Sequence, residues 1–279
     1  MTTPPPILKA HWEAWDACNL HCGFCYRTTK PPLAATEAEM MISSLAAAGI
    51  EQIVFAGGDP SLRPDIAELV GLARRLGMKV EVQTNAHLFT RVFAPVLSQV
   101  DLFGFSLDAG YAAAHDTLRG TRDNFRRVVE AMDMCDAAGK PYVVRTVCSA
   151  RNADVFCDVG RLLIGRGSLR KWSVVQFSAI GEGYRNRGSY ELSELAFRQV
   201  VADVRLHLPS VPLESYGNAE KGGVYFLIKP NGDAYTTTTD FAGEEYESVG
   251  NVLSDGVEAC LAQLKIDAAA HQRRYRTLI

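Results

Sequence analysis

Cys18, Cys22 and Cys25 stand within eight positions in the stretch ACNLHCGFCYRTTKPP, and the next cysteine is Cys135. Grouped thiolates point to metal chemistry. Structural zinc normally takes four ligands from two paired knuckles. His21 lies inside the group and is a zinc-ligand type, but no second knuckle is present. The alternative is an iron–sulfur cube, whose irons are held by thiolates. Three cysteines would hold three irons and leave the fourth open to a small molecule, so the missing ligand would mark the site of chemistry. A non-enzymatic metal-binding protein is the reading from a different class.

Such a site has to be positioned by the elements around it, and strand-like and helix-like runs alternate along most of the chain. Strands are expected at 8–15, 52–58, 79–85, 101–108, 142–149 and 171–180. Helices are expected at 36–49, 63–76, 88–98, 124–138, 153–165 and after Ser193, the first opening on a capping box of Thr36 and Glu39 and closing at Gly49. Repeated βα units with short connections predict an α/β fold with a parallel sheet and right-handed crossovers. Six units are too few to close an eight-stranded barrel. A partial barrel and a doubly wound sheet both fit, and either puts function at the carboxyl ends of the strands. The cysteine stretch directly follows the first strand. From residue 209 the pattern changes to a hairpin, VYFLIKPNGDAYTTT, turning at Asn231-Gly232, and a short helix, DGVEACLAQL. The expected division is a core over 8–208 and a small α+β cap over 209–279.

A net charge of −3 and a pI near 6.1 give no basic footprint for nucleic acid. No run approaches the roughly 20 apolar residues of a membrane span. MTTPPPILKA lacks the charged and apolar regions of a signal peptide. Seven cysteines, an odd number with three crowded together, suit a reduced cytoplasm better than a disulfide framework. Cys135, Cys157 and Cys260 sit at core-like helical positions.

CNLHCGFC, with aromatic Phe24 just before the third cysteine, resembles the C-x3-C-x2-C signature of radical S-adenosylmethionine (SAM) enzymes. The resemblance runs over residues 8–182, with each matching piece at a strand's carboxyl end. It implies a partial (βα)6 TIM-like barrel and a [4Fe-4S] cluster on Cys18, Cys22 and Cys25. SAM would chelate the open iron, and an electron donor such as flavodoxin or ferredoxin would drive its cleavage to a 5′-deoxyadenosyl radical. Further contacts are implied residue by residue. Phe24 matches a position near the adenine. Gly57, Gly58 and Asp59 in GGDP match the motif that receives the SAM amino group, with Asp in place of the commoner Glu. Asn85 in QTNA, and Ser106 and Asp108 in FSLD, match polar contacts on the third and fourth strands. Arg145 in VRTV suits the SAM carboxylate or ribose, and Ile180 in SAIGEG lies beside the adenine.

The core further resembles viperin-like members, although Val143 and Ser173 stand where those carry lysines for a triphosphate. Lys171 and Arg170 lie close by. KPNGDAYTTTTDFAGEEYESVGNVLSD resembles a SPASM or twitch extension in which Thr236–Thr239 stand at the expected cysteine positions. A single cluster is therefore expected. The expected substrate is a small polar molecule (a nucleotide, a nucleoside or a sugar-bearing metabolite) met by Lys171 and by Arg185, Asn186 and Arg187 of the loop GEGYRNRGSY. Modification of a ribosomally made peptide is the runner-up. Cys148, at the end of the fifth strand, is the candidate hydrogen-atom donor should the reaction be an epimerisation.

Overall fold

The computed structural model describes residues 7–27, 29–237 and 246–275. The strands are β1 (Lys9–Trp15), β2 (Gln52–Gly57), β3 (Lys79–Thr84), β4 (Leu102–Ser106), β5 (Tyr142–Cys148), β6 (Leu169–Gln176), β7 (Leu213–Tyr216), β8 (Phe226–Ile228), β9 (Asp233–Thr237) and β10 (Tyr246–Asn251). The helices are α1 (Ala35–Ala47), α2 (Ile66–Arg75), α3 (Phe89–Val92), α4 (Ala112–Arg119), α5 (Asn124–Ala137), α6 (Phe156–Leu163), α7 (Glu182–Arg185), α8 (Arg187–Tyr190), α9 (Glu194–His207), α10 (Val257–Gln263) and α11 (Ala268–Tyr275). The described strands form one sheet in the order β10-β9-β8-β1-β2-β3-β4-β5-β6-β7, with β1 to β6 parallel as expected. This is the mixed α/β architecture of a partial TIM barrel.

Strand alternation sorts the residues between two environments. On β1, Ala10, Trp12 and Ala14 join α1's Met41, Ile42 and Leu45 in the main apolar core, as do Phe103 and Phe105 of β4 and Trp172 and Val174 of β6. Each large apolar side chain buried this way contributes about 1.5–3 kcal/mol. The alternate positions Lys9, His11, Glu13, Glu81, Arg145 and Lys171 point to the other face, the barrel interior, where Glu81 pairs with both Lys9 and Arg145.

The helices depart from expectation where proline or a cap intervenes. Helix α1 starts from Ala34, whose N–H donates to Glu37 Oε2 at 2.9 Å. The Ala34 methyl accepts nothing, so only this half of a capping arrangement forms, and Thr36 and Glu39, expected as the box, lie inside the helix. Helix α2 begins only at Ile66, because Pro64 keeps the residue before it, Arg63, extended at ψ 121°. The stretch 88–98 breaks into α3 and a 3-10 turn, Ala94–Gln99, opened by Pro95. Helix α9 is capped by Ser193, whose Oγ accepts from Ala196 N at 3.2 Å. Helix α4 was not expected; it ends at Gly120 with φ +61°.

The segment from 209 onward, expected as a cap, adds strands to both sheet edges. β7 pairs in parallel with β6, and β8 pairs in parallel with β1. The Asn231-Gly232 turn forms, with Gly232 at φ +88° and Lys229 N donating to Asp233 O at 2.8 Å. Residues 217–224 run between β7 and β8, and Gly223 N donates to Thr237 O at 2.7 Å. Helix α11 returns to the amino end of β1. There His271 Nε2 accepts from Leu8 N at 3.2 Å and Lys9 N at 3.3 Å, while its Nδ1–H donates to Val224 O at 2.9 Å. Those partners fix a neutral tautomer, and burial lowers the pKa of the ring.

Candidate metal centre

The cysteine loop leaves β1 at Trp15 and is clamped by backbone on three sides. On the β2 side, Gly58 N donates to Trp15 O at 2.8 Å and Asp59 N to Ala17 O at 2.9 Å. A Cβ on Gly57, whose φ is +121°, would lie 2.4 Å from Trp15 O, and one on Gly58 2.0 Å from Ala17 O. The glycine pair is thus required by the cysteine loop itself, whatever else approaches it. On the α4 side, His21 N donates to Arg119 O at 3.2 Å. On the β6 side, Gly183 N donates to Cys25 O at 3.1 Å and Asn186 Nδ2 to Gly23 O at 3.0 Å. Phe24 is buried against Tyr190, with ring centroids 5.7 Å apart.

All three thiols are free and partly buried. Two are met by hydrogen-bond donors: Leu20 N lies 3.4 Å and Asn85 Nδ2 3.6 Å from Cys18 Sγ, and Arg119 Nη1 lies 3.7 Å from Cys22 Sγ. Burial raises the pKa of Cys18 and pushes the Cys22 thiol up to about 11, against the pull of Arg119. A bound metal supplies the positive charge that deprotonates such thiols. Among the described residues, no three His, Cys, Asp or Glu side chains are grouped as ligands of one ion would be. Three thiolates on three different irons of a cube need no such convergence. This donor set therefore fits a cube better than a single zinc.

A polar frame joins the two donor-bearing thiols from behind, and sequence reasoning missed most of it. Arg119 Nη2 pairs with Asp108 Oδ2 at 2.5 Å, and Asp108 Oδ1 accepts from Val147 N at 2.9 Å. Asp108 N donates to His115 Nδ1 at 3.1 Å, which leaves His115 Nε2–H to meet Asn124 Oδ1 at 3.0 Å. Asn124 Nδ2 donates to Asn85 O at 2.8 Å, and Asn85 Nδ2 reaches Asn19 Oδ1 at 2.9 Å beside Cys18. Arg119, His115 and Asn124 come from α4 and the start of α5. The Arg119-Gly120 stop could have signalled α4, but nothing local signals its contact with Cys22.

The residues expected to meet SAM divide. Arg145 Nη2 pairs with Glu81 Oε1 at 2.9 Å, and the guanidinium keeps a buried Nε with no partner on a side chain 30% exposed. The open part of that side chain, rather than the buried Nε, is what an incoming carboxylate would meet. Ser106 is partly buried and lies directly across from Arg145 in the strand register. Ile180 is buried near the 181–183 turn. Asp59 and Asp108, by contrast, are each 1% exposed and engaged within the protein. Asp59 accepts from Ser61 N at 2.9 Å, Ser61 Oγ at 2.5 Å, Thr84 Oγ1 at 2.9 Å and Asn85 N at 2.7 Å. These bonds occupy its lone pairs, so the expected pairing of Asp59 with an ammonium gives way to fastening the third strand's end to the GGDP loop. Asn85 touches the cysteine loop rather than open space.

Behind Arg145, Glu81 is fully buried between Arg145 and Lys9, whose Nζ lies 2.5 Å from Oε2. Burial opposes ionisation of Glu81, but Lys9 and Arg145 outweigh it and hold the carboxyl below the usual range.

The residues expected at the substrate do not converge. Lys171 faces the interior but pairs with Glu214 at 2.6 Å, while Arg185, 78% exposed, pairs with Glu182 at 2.9 Å. Arg187 stacks over Tyr184 at 4.5 Å, and Asn186 holds the cysteine loop as described. Cys148 is corrected as a hydrogen donor: it shares the helix-facing side of β5 with Val144, fully buried in the main core. Burial pushes its thiol up to about 12. Of the threonines at the expected auxiliary-cluster positions, Thr236 is buried and Thr237 Oγ1 donates to Lys221 O at 2.6 Å. Thr238 and Thr239 lie outside the described residues.

Comparison with known proteins adds independent findings. The sequence profile of the radical SAM superfamily matches residues 12–149. An AdoMet-dependent heme synthase from Methanosarcina barkeri is 26% identical over 281 residues, covering 94% of this chain and 80% of the relative. An S-adenosylmethionine-dependent nucleotide dehydratase from Lacinutrix mariniflava is 23% identical over 277 residues, covering 94% of this chain and 56% of that protein. With three other curated relatives the chain aligns over only 37% to 43% of their length. Among solved structures, native anSMEcpe with bound AdoMet superposes with a TM-score of 0.73 at 17% identity, covering 92% of this chain and 81% of that one.

Proposed function

This chain belongs to the radical SAM superfamily, and we propose that it abstracts a hydrogen atom from a small polar substrate held in the barrel interior. Enzymes of this superfamily use a [4Fe-4S] cluster and SAM, which together supply a 5′-deoxyadenosyl radical when bound. Cys18, Cys22 and Cys25 would hold three irons of one cluster per chain. Arg145 would receive the SAM carboxylate through the exposed part of its side chain, steadied by Glu81. The loops on β2, α4 and β6 clamp the cysteine loop and help exclude water from the reacting atoms. A reduced flavodoxin or ferredoxin would provide the electron.

The observation that carries the substrate class is the ionic barrel interior. Glu13, Glu81, Arg145 and Lys171 line it while the apolar residues of the same strands face the helices. A polar substrate matches such walls better than an apolar one, since covering these paired charges with apolar surface would cost their remaining polar contacts without replacement. The nucleotide dehydratase that aligns over 94% of this chain supports a nucleotide or nucleoside within that class. The test is a screen of nucleotides, nucleosides and aminosugars for substrate-dependent 5′-deoxyadenosine on anaerobically reconstituted protein. A response to peptides alone would overturn this substrate class.

A further inference from the structure

We infer that Arg119, anchored by Asp108, sets the reduction potential of the cluster through Cys22. This inference rests on the reading that Cys18, Cys22 and Cys25 are the ligands. The guanidinium places Nη1 3.7 Å from Cys22 Sγ and Nη2 2.5 Å from Asp108 Oδ2. It also lies 5.3 Å from the Phe24 ring centroid, and its side chain is only 11% exposed. Asp108 cannot swing away, because its Oδ1 accepts from Val147 N, its own N–H donates to His115, and Asn152 Nδ2 donates to its carbonyl. Arg119 and Asp108 therefore form a fixed dipole with its positive end on a cluster ligand.

Reduction moves one electron from a low-potential carrier, such as a reduced flavodoxin, into the cluster. The carrier is oxidised by one electron, and no bond or proton changes place. The added negative charge settles on a site already bearing three thiolates, so a nearby buried cation favours the reduced form. Hydrogen bonds to the sulfurs, burial and nearby charge are the levers that set such potentials. Arg119 supplies all three at one sulfur, and Asp108 moderates its charge. Arg119 is a positioning residue here: it touches a ligand rather than iron.

The test is an EPR-monitored redox titration of the reconstituted protein without SAM, with iron counted in each sample. Arg119→Gln is expected to lower the midpoint, disfavouring reduction about tenfold, or ~59 mV for one electron. Asp108→Asn removes the negative end and is expected to move the midpoint upward. Arg119→Lys keeps the charge and should stay nearer the parent value. If leaving Asp108 unpaired unfolds Arg119→Gln, the double variant Arg119→Gln/Asp108→Asn removes both charges together and should fall between the two shifts. Variants that keep four irons but share the parent midpoint, or that shift in the same direction, overturn the inference while leaving the ligand reading intact. Parent protein that binds no iron overturns the ligand reading, and the inference with it.

Discussion

Arg145 and Asp59 both looked like charged partners for the SAM zwitterion, yet their surroundings assign them different work. Arg145 keeps 30% of its side chain exposed, whereas the Asp59 carboxylate is buried and saturated by Ser61, Thr84 and Asn85. Arg145→Ala should therefore weaken SAM binding by about 1.5–3 kcal/mol, the range of one hydrogen bond to a charged group, with iron content unchanged. Asp59→Ala should instead destabilise the fold by about 1–3 kcal/mol, because it strands buried donors at the end of β3. Calorimetric SAM titration and urea denaturation of the cluster-free chain separate the two. An Asp59 variant of parent stability with SAM affinity reduced as in Arg145→Ala would return it to the ligand-binding role. At this scale the cysteines were legible because thiol spacing is a local property of sequence. Arg119 was not, because it meets Cys22 across 97 positions of chain.

The elements were legible where one period dominated. The first six strands showed as apolar and β-branched runs, and the observed strands lie within two residues of their expected bounds, except that β6 ends at Gln176, four residues short of 180. Helix α4, AAAHDTLR, was missed because it is short and buries only His115 and Leu118, too little to give a helical period. The GGDP loop was recognised as a motif, but its physical reason lies in the close approach of two loops, which no single segment reveals. Gly58→Ala should cut iron incorporation severely, since the added Cβ would lie 2.0 Å from Ala17 O and must push the cysteine loop away. Gly49→Ala is the control. Its Cβ would meet nothing within 4 Å, so only the backbone strain of φ +83° remains, about 1 kcal/mol. Iron per chain after anaerobic reconstitution reads the difference, and equal loading of the two variants would mean the clamp does not place the cysteines.

Across the whole molecule, the two ends of the described chain close the barrel's amino end together, a relation the sequence could not show over 263 positions. The neutral His271 ring accepts from Leu8 N and Lys9 N and is packed beside Tyr275, with Lys9 and Arg274 disfavouring a further positive charge. Burial is the largest cause of its lowered pKa. The folded state therefore binds this proton less readily than the unfolded chain, whose histidines titrate near 6.5. By linkage, the stability tied to His271 is fully present above about pH 6.5 and declines as pH falls toward its lower folded value. His11 and His115 are shifted the same way and add to the same acid slope, so the contribution of His271 has to be isolated by substitution. His271→Gln keeps an acceptor for the two N–H groups but cannot be protonated in this range. Between pH 7.5 and 5.5, the urea midpoint of the parent should fall more steeply than that of His271→Gln. Parallel slopes would show that α11 is held to β1 by packing alone and that the ring titrates freely in the folded protein.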